Sequence, residues 1–64
     1  MSDANLTRND VAQQLALLLD GYFDDELGLW YRVIATGNSV TVNAIAVDPD
    51  EDNYQFKFTV ERHR

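Results

Sequence analysis

Apolar residues recur at helical spacing in the first third of the chain. Intervals of three and four residues place one wide apolar stripe on a helix, formed by Val11, Ala12, Leu15, Leu18, Leu19, Tyr22 and Phe23. The polar residues Gln13, Gln14 and Asp20 fall outside this stripe, and we expect them to face water. The pattern predicts an amphipathic helix whose apolar stripe packs on the rest of the domain.

The start of this helix has a local signal. Thr7 is followed three residues later by Asp10, which resembles a capping box with the shorter Asp in place of Glu. The helix should therefore begin at Arg8, and Leu6 before the cap is placed to pack on Val11 as a hydrophobic staple.

The end of the helix has two candidate positions. Gly21 could terminate it as a C-cap residue, or the helix could continue to Leu27 with Gly28 as its stop. We favour the longer helix, which puts the acidic run 24–26 at the negative end of the helix dipole, where acids are unfavourable. That placement suggests another use for these acids, with solubility as the simpler explanation.

The next part of the chain is typical of a β-hairpin. Leu29 to Ala35 and Val40 to Val47 are rich in β-branched and aromatic residues, and Gly37-Asn38 between them suits a two-residue type I′ or II′ turn. The residue numbers of paired positions in a hairpin have a constant sum, so the position of the turn fixes the register. One face then carries the pairs Ala35 with Val40, Val33 with Val42, Tyr31 with Ala44, and Leu29 with Ala46.

A third alternating run extends from Tyr54 to Glu61. Its period of two sends Tyr54, Phe56, Phe58 and Val60 to the apolar face of the hairpin, and Gln55, Lys57, Thr59 and Glu61 away from it. The sequence thus predicts an α+β fold in which one N-terminal helix covers one face of a three-stranded antiparallel sheet of order 1-2-3. We expect a single domain over residues 1–64 with flexible ends at 1–6 and 62–64.

The opposite face of the sheet carries a second apolar group. Trp30, Ile34, Ile45 and Val47 lie there with Arg32 and other polar residues, and such a group is a candidate interaction patch. Alternatively, Trp30 and Ile45 form a cross-strand pair that only shields the sheet. As an interface, the patch would bind a partner or form a homodimer, back to back or edge to edge, that enlarges a small core.

Composition narrows the class of protein. A chain of 64 residues buries only about 60% of the surface that its unfolded form exposes. It has no cysteine, which excludes a disulfide framework and Cys-based zinc or thiol chemistry. Because the N-terminus lacks the pattern of a signal peptide and no apolar run approaches the ~20 residues of a membrane span, we expect a cytoplasmic protein without membrane association.

Charge separates the two ends of the predicted fold. Eleven acids against five Lys and Arg give a net charge of −6, which opposes direct nucleic-acid binding and favours cationic partners. The helix end, the start of the first strand and the end of the second should meet, and they bring together an acidic pole of Asp20, Asp24, Asp25, Glu26, Asp48, Asp50, Glu51 and Asp52. The basic residues Arg62, His63 and Arg64 should lie at the far end, near Arg8.

The acidic loop has part of a calcium-binding pattern. Asp48, Asp50 and Asp52 have the spacing that begins an EF-hand loop, but Asn53 stands where glycine is needed and Thr59 where the bidentate glutamate is needed. We expect no specific metal site and no cofactor. The loop is then either a solvated turn or a surface that recognises a cationic partner.

Catalytic patterns are not evident in the sequence. His63 is the single histidine and falls in the terminal segment, and the carboxylates lack the apolar enclosure that would separate acid and base roles. Caps and turns explain all three glycines, with no phosphate loop or nucleophile elbow. We expect a protein that is not an enzyme.

Two acidic stretches, DGYFDDELG at 20–28 and DPDEDN at 48–53, together with the small size, carry a resemblance. The chain resembles small phage-encoded inhibitors of bacterial defence systems, anti-CRISPR proteins above all. The resemblance implies a non-enzymatic inhibitor in the host-cell cytoplasm, one that mimics DNA by placing the carboxylates of the acidic pole in the basic groove of a nucleic-acid-binding protein.

An alternative function remains open. The chain could be an interaction or assembly module, possibly homodimeric, that uses the face of Trp30, Arg32, Ile34, Ile45 and Val47. Its acidity would then serve only solubility or adaptation to high salt, a reading with which its one lysine against four arginines agrees.

Overall fold

The computed structural model describes residues 6–63, which form one helix and one sheet. The elements are α1 (Arg8–Leu19), β1 (Phe23–Asp24), β2 (Leu29–Thr36), β3 (Ser39–Ala46) and β4 (Tyr54–Thr59). The strands are antiparallel in the order β1-β2-β3-β4, and α1 packs across β2 and β3. The α+β class is confirmed, whereas the expected three strands are four. Of the ends expected to be flexible, residues 1–5 and 64 lie outside the described residues.

The predicted start of the helix is confirmed. Thr7 Oγ1 accepts a hydrogen bond from the Asp10 backbone N–H at 3.2 Å, and Asp10 Oδ2 accepts one from the Thr7 backbone N–H at 2.9 Å. This reciprocal capping box satisfies two backbone donors, and α1 begins at Arg8.

The favoured end of the helix at Leu27 is wrong, because α1 stops at Leu19 and Gly21 takes a left-handed φ of 83°. The Gly21 N–H donates to the Tyr31 carbonyl at 2.7 Å, and the Tyr31 N–H donates to the Tyr22 carbonyl at 2.9 Å. Pairing with the outer edge of β2 satisfies these backbone groups and avoids a helix end loaded with acids. The residues after Gly21 therefore form the additional strand.

The predicted hairpin register is confirmed pair by pair, from Leu29 opposite Ala46 to Ala35 opposite Val40. Gly37 has a φ of 61° and no residue other than glycine has a positive φ within the described chain, which identifies the turn as type II′ rather than type I′. The face assigned to the third run is also confirmed, since Tyr54, Phe56 and Phe58 pair with Ala44, Val42 and Val40.

The core of the domain consists of small side chains. Its buried members within residues 6–63 are Ala12, Ala16, Val33, Val40, Val42 and Ala44. The predicted helical stripe is therefore partly wrong: Leu18 and Leu19 are exposed, and Tyr22 and Phe23 have left the helix. Alanines on the inner side let the helix approach the sheet closely, whereas Leu17, Leu18 and Leu19 are exposed.

The single helix was expected to cover the apolar face of the sheet, but it covers only part of it. With its side chains a helix is about 10 Å wide, which matches about two strand spacings of ~4.8 Å. Accordingly α1 covers β2 and β3, while Tyr54, Phe56 and Phe58 of β4 point to the same side and remain 59%, 53% and 38% exposed. We call these three side chains, which α1 leaves uncovered, the aromatic strip.

Asp20 joins the helix end to the sheet, and its removal should cost stability. Its Oδ1 accepts a hydrogen bond from the Val33 backbone N–H at 3.0 Å. Asp20→Ala leaves that part-buried donor without its acceptor and should lower the free energy of unfolding by about 1–2 kcal/mol. Asp20→Asn keeps an acceptor and should lose less, and Asp52→Ala serves as a control for the change in charge. Urea denaturation measures all three; equal stability of Asp20→Ala and Asp52→Ala would contradict this role.

Candidate functional site: the acidic loops and the Trp30 cluster

The turn between β1 and β2 is held by Asp24. Its Oδ1 accepts hydrogen bonds from the Glu26 and Leu27 backbone N–H groups at 3.0 and 3.2 Å, and its carbonyl accepts one from Gly28 at 2.8 Å. Gly28 closes the turn with a left-handed φ of 68°. Asp24 is therefore engaged in hydrogen bonds within the turn, while Asp25 and Glu26 stay exposed to solvent.

The loop between β3 and β4 follows ordinary turn chemistry. The Glu51 N–H donates to the Asp48 carbonyl at 3.0 Å across a turn whose second position is Pro49, and Asp48 Oδ1 accepts from the Asp50 N–H at 2.9 Å. The Asn53 side chain then closes the loop by accepting from the Ala46 N–H at 2.8 Å. These bonds account for Asp48 and Asn53 and leave Asp50, Glu51 and Asp52 exposed.

The two acidic segments lie at the same end of the sheet. The Val47 N–H donates to the Gly28 carbonyl at 3.0 Å, which ties the end of β3 to the start of β2. Asp20 lies elsewhere, bonded to Val33 and 3.4 Å from the Arg32 guanidinium, about 13 Å along β2 from Leu29 at ~3.3 Å per residue. The acidic end of the structure is thus Asp25, Glu26, Asp48, Asp50, Glu51 and Asp52, with Asp24 beneath it.

An exposed apolar cluster lies directly beside these loops, on the sheet face away from α1. Trp30 pairs across strands with Ile45 on one side and with Phe23 on the other, and the Phe23 and Trp30 rings are 4.7 Å apart. Val47 follows at the end of β3. We call Phe23, Trp30, Ile45 and Val47 the Trp30 cluster. Phe23 and Ile45 are the cross-strand neighbours of Trp30, yet Trp30 remains 46% exposed, so mutual shielding is incomplete.

Two members of the predicted patch stand apart from this cluster, and one residue was missed. Ile34 lies four residues further along β2, with Arg32 between it and Trp30. The helical pattern places Phe23 in the helix, whereas in the structure its ring packs against Trp30 at a tilt of 40°. The signal was present, because ending the helix at Gly21 leaves Tyr22 to Asp24 as an alternating run before the Gly28 turn.

The opposite end of the domain carries the basic residues Arg8 and Arg62. Arg8, Arg62, Leu6, Val11 and Val60 line one open depression there, so the helix start and the end of β4 are neighbours. Within residues 6–63 no group of three or more His, Cys, Asp or Glu side chains is arranged to hold a metal ion. No helix in that part of the chain is long and apolar enough to cross a membrane.

Comparisons of the chain with models of known protein families, with curated protein sequences and with solved structures found no match. The geometry alone therefore defines the class: a small α+β domain with one end both apolar and acidic.

Tyr31 connects the acidic turn to the helix side of the sheet. Its hydroxyl donates to Asp24 Oδ2 at 3.2 Å, and its ring stacks on Tyr22 with 5.9 Å between centroids. Burial is the largest cause that raises the pKa of the Tyr31 phenol above its ordinary value, and the hydrogen bond to the Asp24 carboxylate adds to it.

This pKa shift makes the stability contributed by Tyr31 dependent on pH. A raised folded-state pKa gives a contribution that is fully present below the unfolded value of 10.0 and is lost as pH rises through the folded-state pKa. Tyr31→Phe should therefore lower the melting temperature at neutral pH, and this deficit should shrink or reverse in alkaline buffer above pH 10. Thermal unfolding of both proteins across this range measures it; a deficit that does not change with pH would refute the coupling.

Proposed function

We propose that this domain is a non-enzymatic binding protein that engages a basic protein surface through its acidic end and the Trp30 cluster. One observation carries the proposal: the Val47 to Gly28 hydrogen bond joins two acidic loops directly beside an exposed apolar cluster. Charge and apolar area are thereby combined on one end of the molecule.

The composition of this end matches the anatomy of protein interfaces. Binding energy concentrates in a few central residues, among which Trp is enriched, and a polar rim surrounds them. Trp30, flanked by Phe23 and Ile45, supplies such a centre, and the exposed carboxylates supply the rim. Close like charges disfavour the folded state and are compensated when a cationic surface neutralises them, which also raises the rate of association.

The partner class that suits this rim is a nucleic-acid-binding protein. Its basic groove is built to receive phosphates, and carboxylates can occupy the same positions. The domain would then act as an inhibitor of the anti-CRISPR type, excluding nucleic acid by mimicry. The alternative is an interaction module in which the Trp30 cluster provides most of the affinity and the acids serve solubility or salt adaptation, a function that the exposed Phe23 and Trp30 pair favours.

The test is a pull-down from nuclease-treated bacterial lysate, read by mass spectrometry. An acid variant carries Asp50→Asn, Glu51→Gln and Asp52→Asn and retains Asp48, whose side chain shapes the loop. A cluster variant carries Trp30→Thr. Matched controls are Glu61→Gln, an acid at the opposite end, and Ile34→Thr, an exposed apolar residue on the same face outside the cluster.

The proposal predicts that wild type and both controls enrich a nucleic-acid-binding complex, that the acid variant loses it, and that the Trp30 variant weakens it. Moderate salt should disrupt the complex strongly, because salt screens the attraction between exposed charges, with a screening length of about 8–10 Å at ~0.1–0.15 M. Loss with Trp30→Thr alone, insensitive to salt, would favour the interaction module instead. Unchanged enrichment by both variants would refute both functions for this end.

A further inference from the structure

We infer that the protein forms a two-fold homodimer in which the outer edges of two β4 strands pair antiparallel. This interface lies on a strand that the proposed partner-binding end does not use. The inference stands on the open backbone edge of β4, on the aromatic strip beside it, and on the distribution of charge along the strand.

The backbone geometry leaves one long edge of the sheet open. Thr36 and Ser39 close the two-residue turn, and alternation from this pair directs the backbone groups of Val40, Val42 and Ala44 toward β4. The Val60 N–H bond to the Asn38 carbonyl, 2.8 Å long, follows the same alternation. The N–H and C=O groups of Gln55, Lys57 and Thr59 therefore point outward, and no strand within residues 6–63 pairs with them.

The other edge of the sheet is closed. The two-residue strand β1 covers part of β2, and the Asp20 carboxylate takes the Val33 N–H beyond it. Short edge strands and capped edges are the usual protection against pairing between chains. β4 instead spans six residues and carries an exposed aromatic strip along its length. It is thus the edge of this sheet available to a further strand.

The aromatic strip is the apolar part of the interface. Phe56 and Phe58 border a groove of about 310 Å³ between β4 and the end of α1, lined also by Leu19 and Tyr22, and Tyr54 precedes them on the same side of β4. At about 200 Å² per aromatic side chain, the three rings expose about 300 Å² in each copy. If pairing covers these rings in both copies, they contribute about 600 Å², half of the ~1,200 Å² at the lower end of specific interfaces, and the paired edge backbone adds to it.

Charge selects the antiparallel orientation. β4 starts at the acidic end, after Asp50, Glu51 and Asp52, and runs past Glu61 to Arg62 and His63, at the end that also holds Arg8. Antiparallel pairing places the acidic end of each copy beside the basic end of the other, whereas parallel pairing would bring two acidic ends together at a net charge of −6 per chain. The complementarity thus comes from the sequence of β4 and its flanks.

Symmetry then restricts the register. Antiparallel pairing of identical edge strands requires a two-fold axis normal to the sheet, which keeps both helices and both aromatic strips on one side. An axis at Phe56 places Phe56 opposite its copy, Tyr54 opposite Phe58, and Gln55 opposite Lys57. An axis at Lys57 would instead oppose two lysines, which is unfavourable. The geometry therefore points to the register centred on Phe56.

The first experiment is sedimentation equilibrium of the full chain over a wide range of protein concentration. Wild type should be a dimer of 7.3 kDa chains, and its melting temperature should rise with concentration because association stabilises the fold. Phe56→Glu, which puts two carboxylates at the axis, should be monomeric or unfolded. Ile34→Glu introduces the same charge at a comparably exposed position on the other face and should remain dimeric. A monomeric wild type whose melting temperature ignores concentration would overturn the inference, whatever the variants do.

The second experiment tests the register by disulfide crosslinking. Because the sequence contains no cysteine, a crosslink can form only between the introduced thiols. Gln55→Cys and Lys57→Cys proteins are mixed and oxidised. Opposed residues in a hydrogen-bonded pair have Cα atoms about 5.5 Å apart, within the ~4.4–6.8 Å that a disulfide spans. The mixture should form a 55–57 crosslink, and Ile34→Cys should not crosslink. A dimer without the 55–57 crosslink would overturn the register centred on Phe56.

Separate variants distinguish the two proposals. Phe56→Glu leaves the acidic loops and the Trp30 cluster intact, so a folded monomeric variant that still captures the partner separates dimerisation from partner binding. A dimeric protein that captures nothing would refute the proposed function and leave the dimer standing.

Discussion

The close approach of α1 to the sheet through Ala12 and Ala16 is the contact on which the rest of the structure depends. These alanines pack on Val33, Val40 and Val42, and Val40 is the largest fully buried side chain within residues 6–63. A helix held this close covers about two strands and no more. The Leu and aromatic side chains that another domain of this class would bury are left on the outside, above all on β4 and at the Trp30 cluster.

This arrangement connects stability to function. A core of Ala and Val contributes less hydrophobic stabilisation than one with Leu and Phe, at about 25 cal/mol per Å² of apolar area buried. The domain therefore gains from any surface that covers its remaining apolar groups. Its two open surfaces differ in kind: the Trp30 cluster is bordered by carboxylates that suit a basic partner, and the β4 edge is complementary to a second copy of itself.

Local sequence signals were sufficient where local chemistry decides the structure. The Thr7 and Asp10 capping box set the helix start, and Gly37-Asn38 set the hairpin register and the faces of two strands. The helix end was missed because Gly21 and Gly28 are both competent stops. The choice depends on hydrogen bonds from the segment after Asp20 to β2, which are long-range contacts that local spacing cannot weigh. The longer helix wrongly places Phe23 in the helix and Asp20 in the acidic pole. The meeting of the two acidic loops, by contrast, follows from the hairpin alone.

A second copy paired with β4 would complete the outer edge of this sheet, and hydrogen exchange at individual backbone amides detects such pairing. In the isolated chain the N–H groups of Gln55 and Lys57 face solvent and would exchange as open amides do. In the dimer both amides should be protected, and their protection should increase with protein concentration, while the exposed loop amides of Asp25 and Asp52 stay unprotected. Fast exchange of Gln55 and Lys57 at every concentration would contradict it.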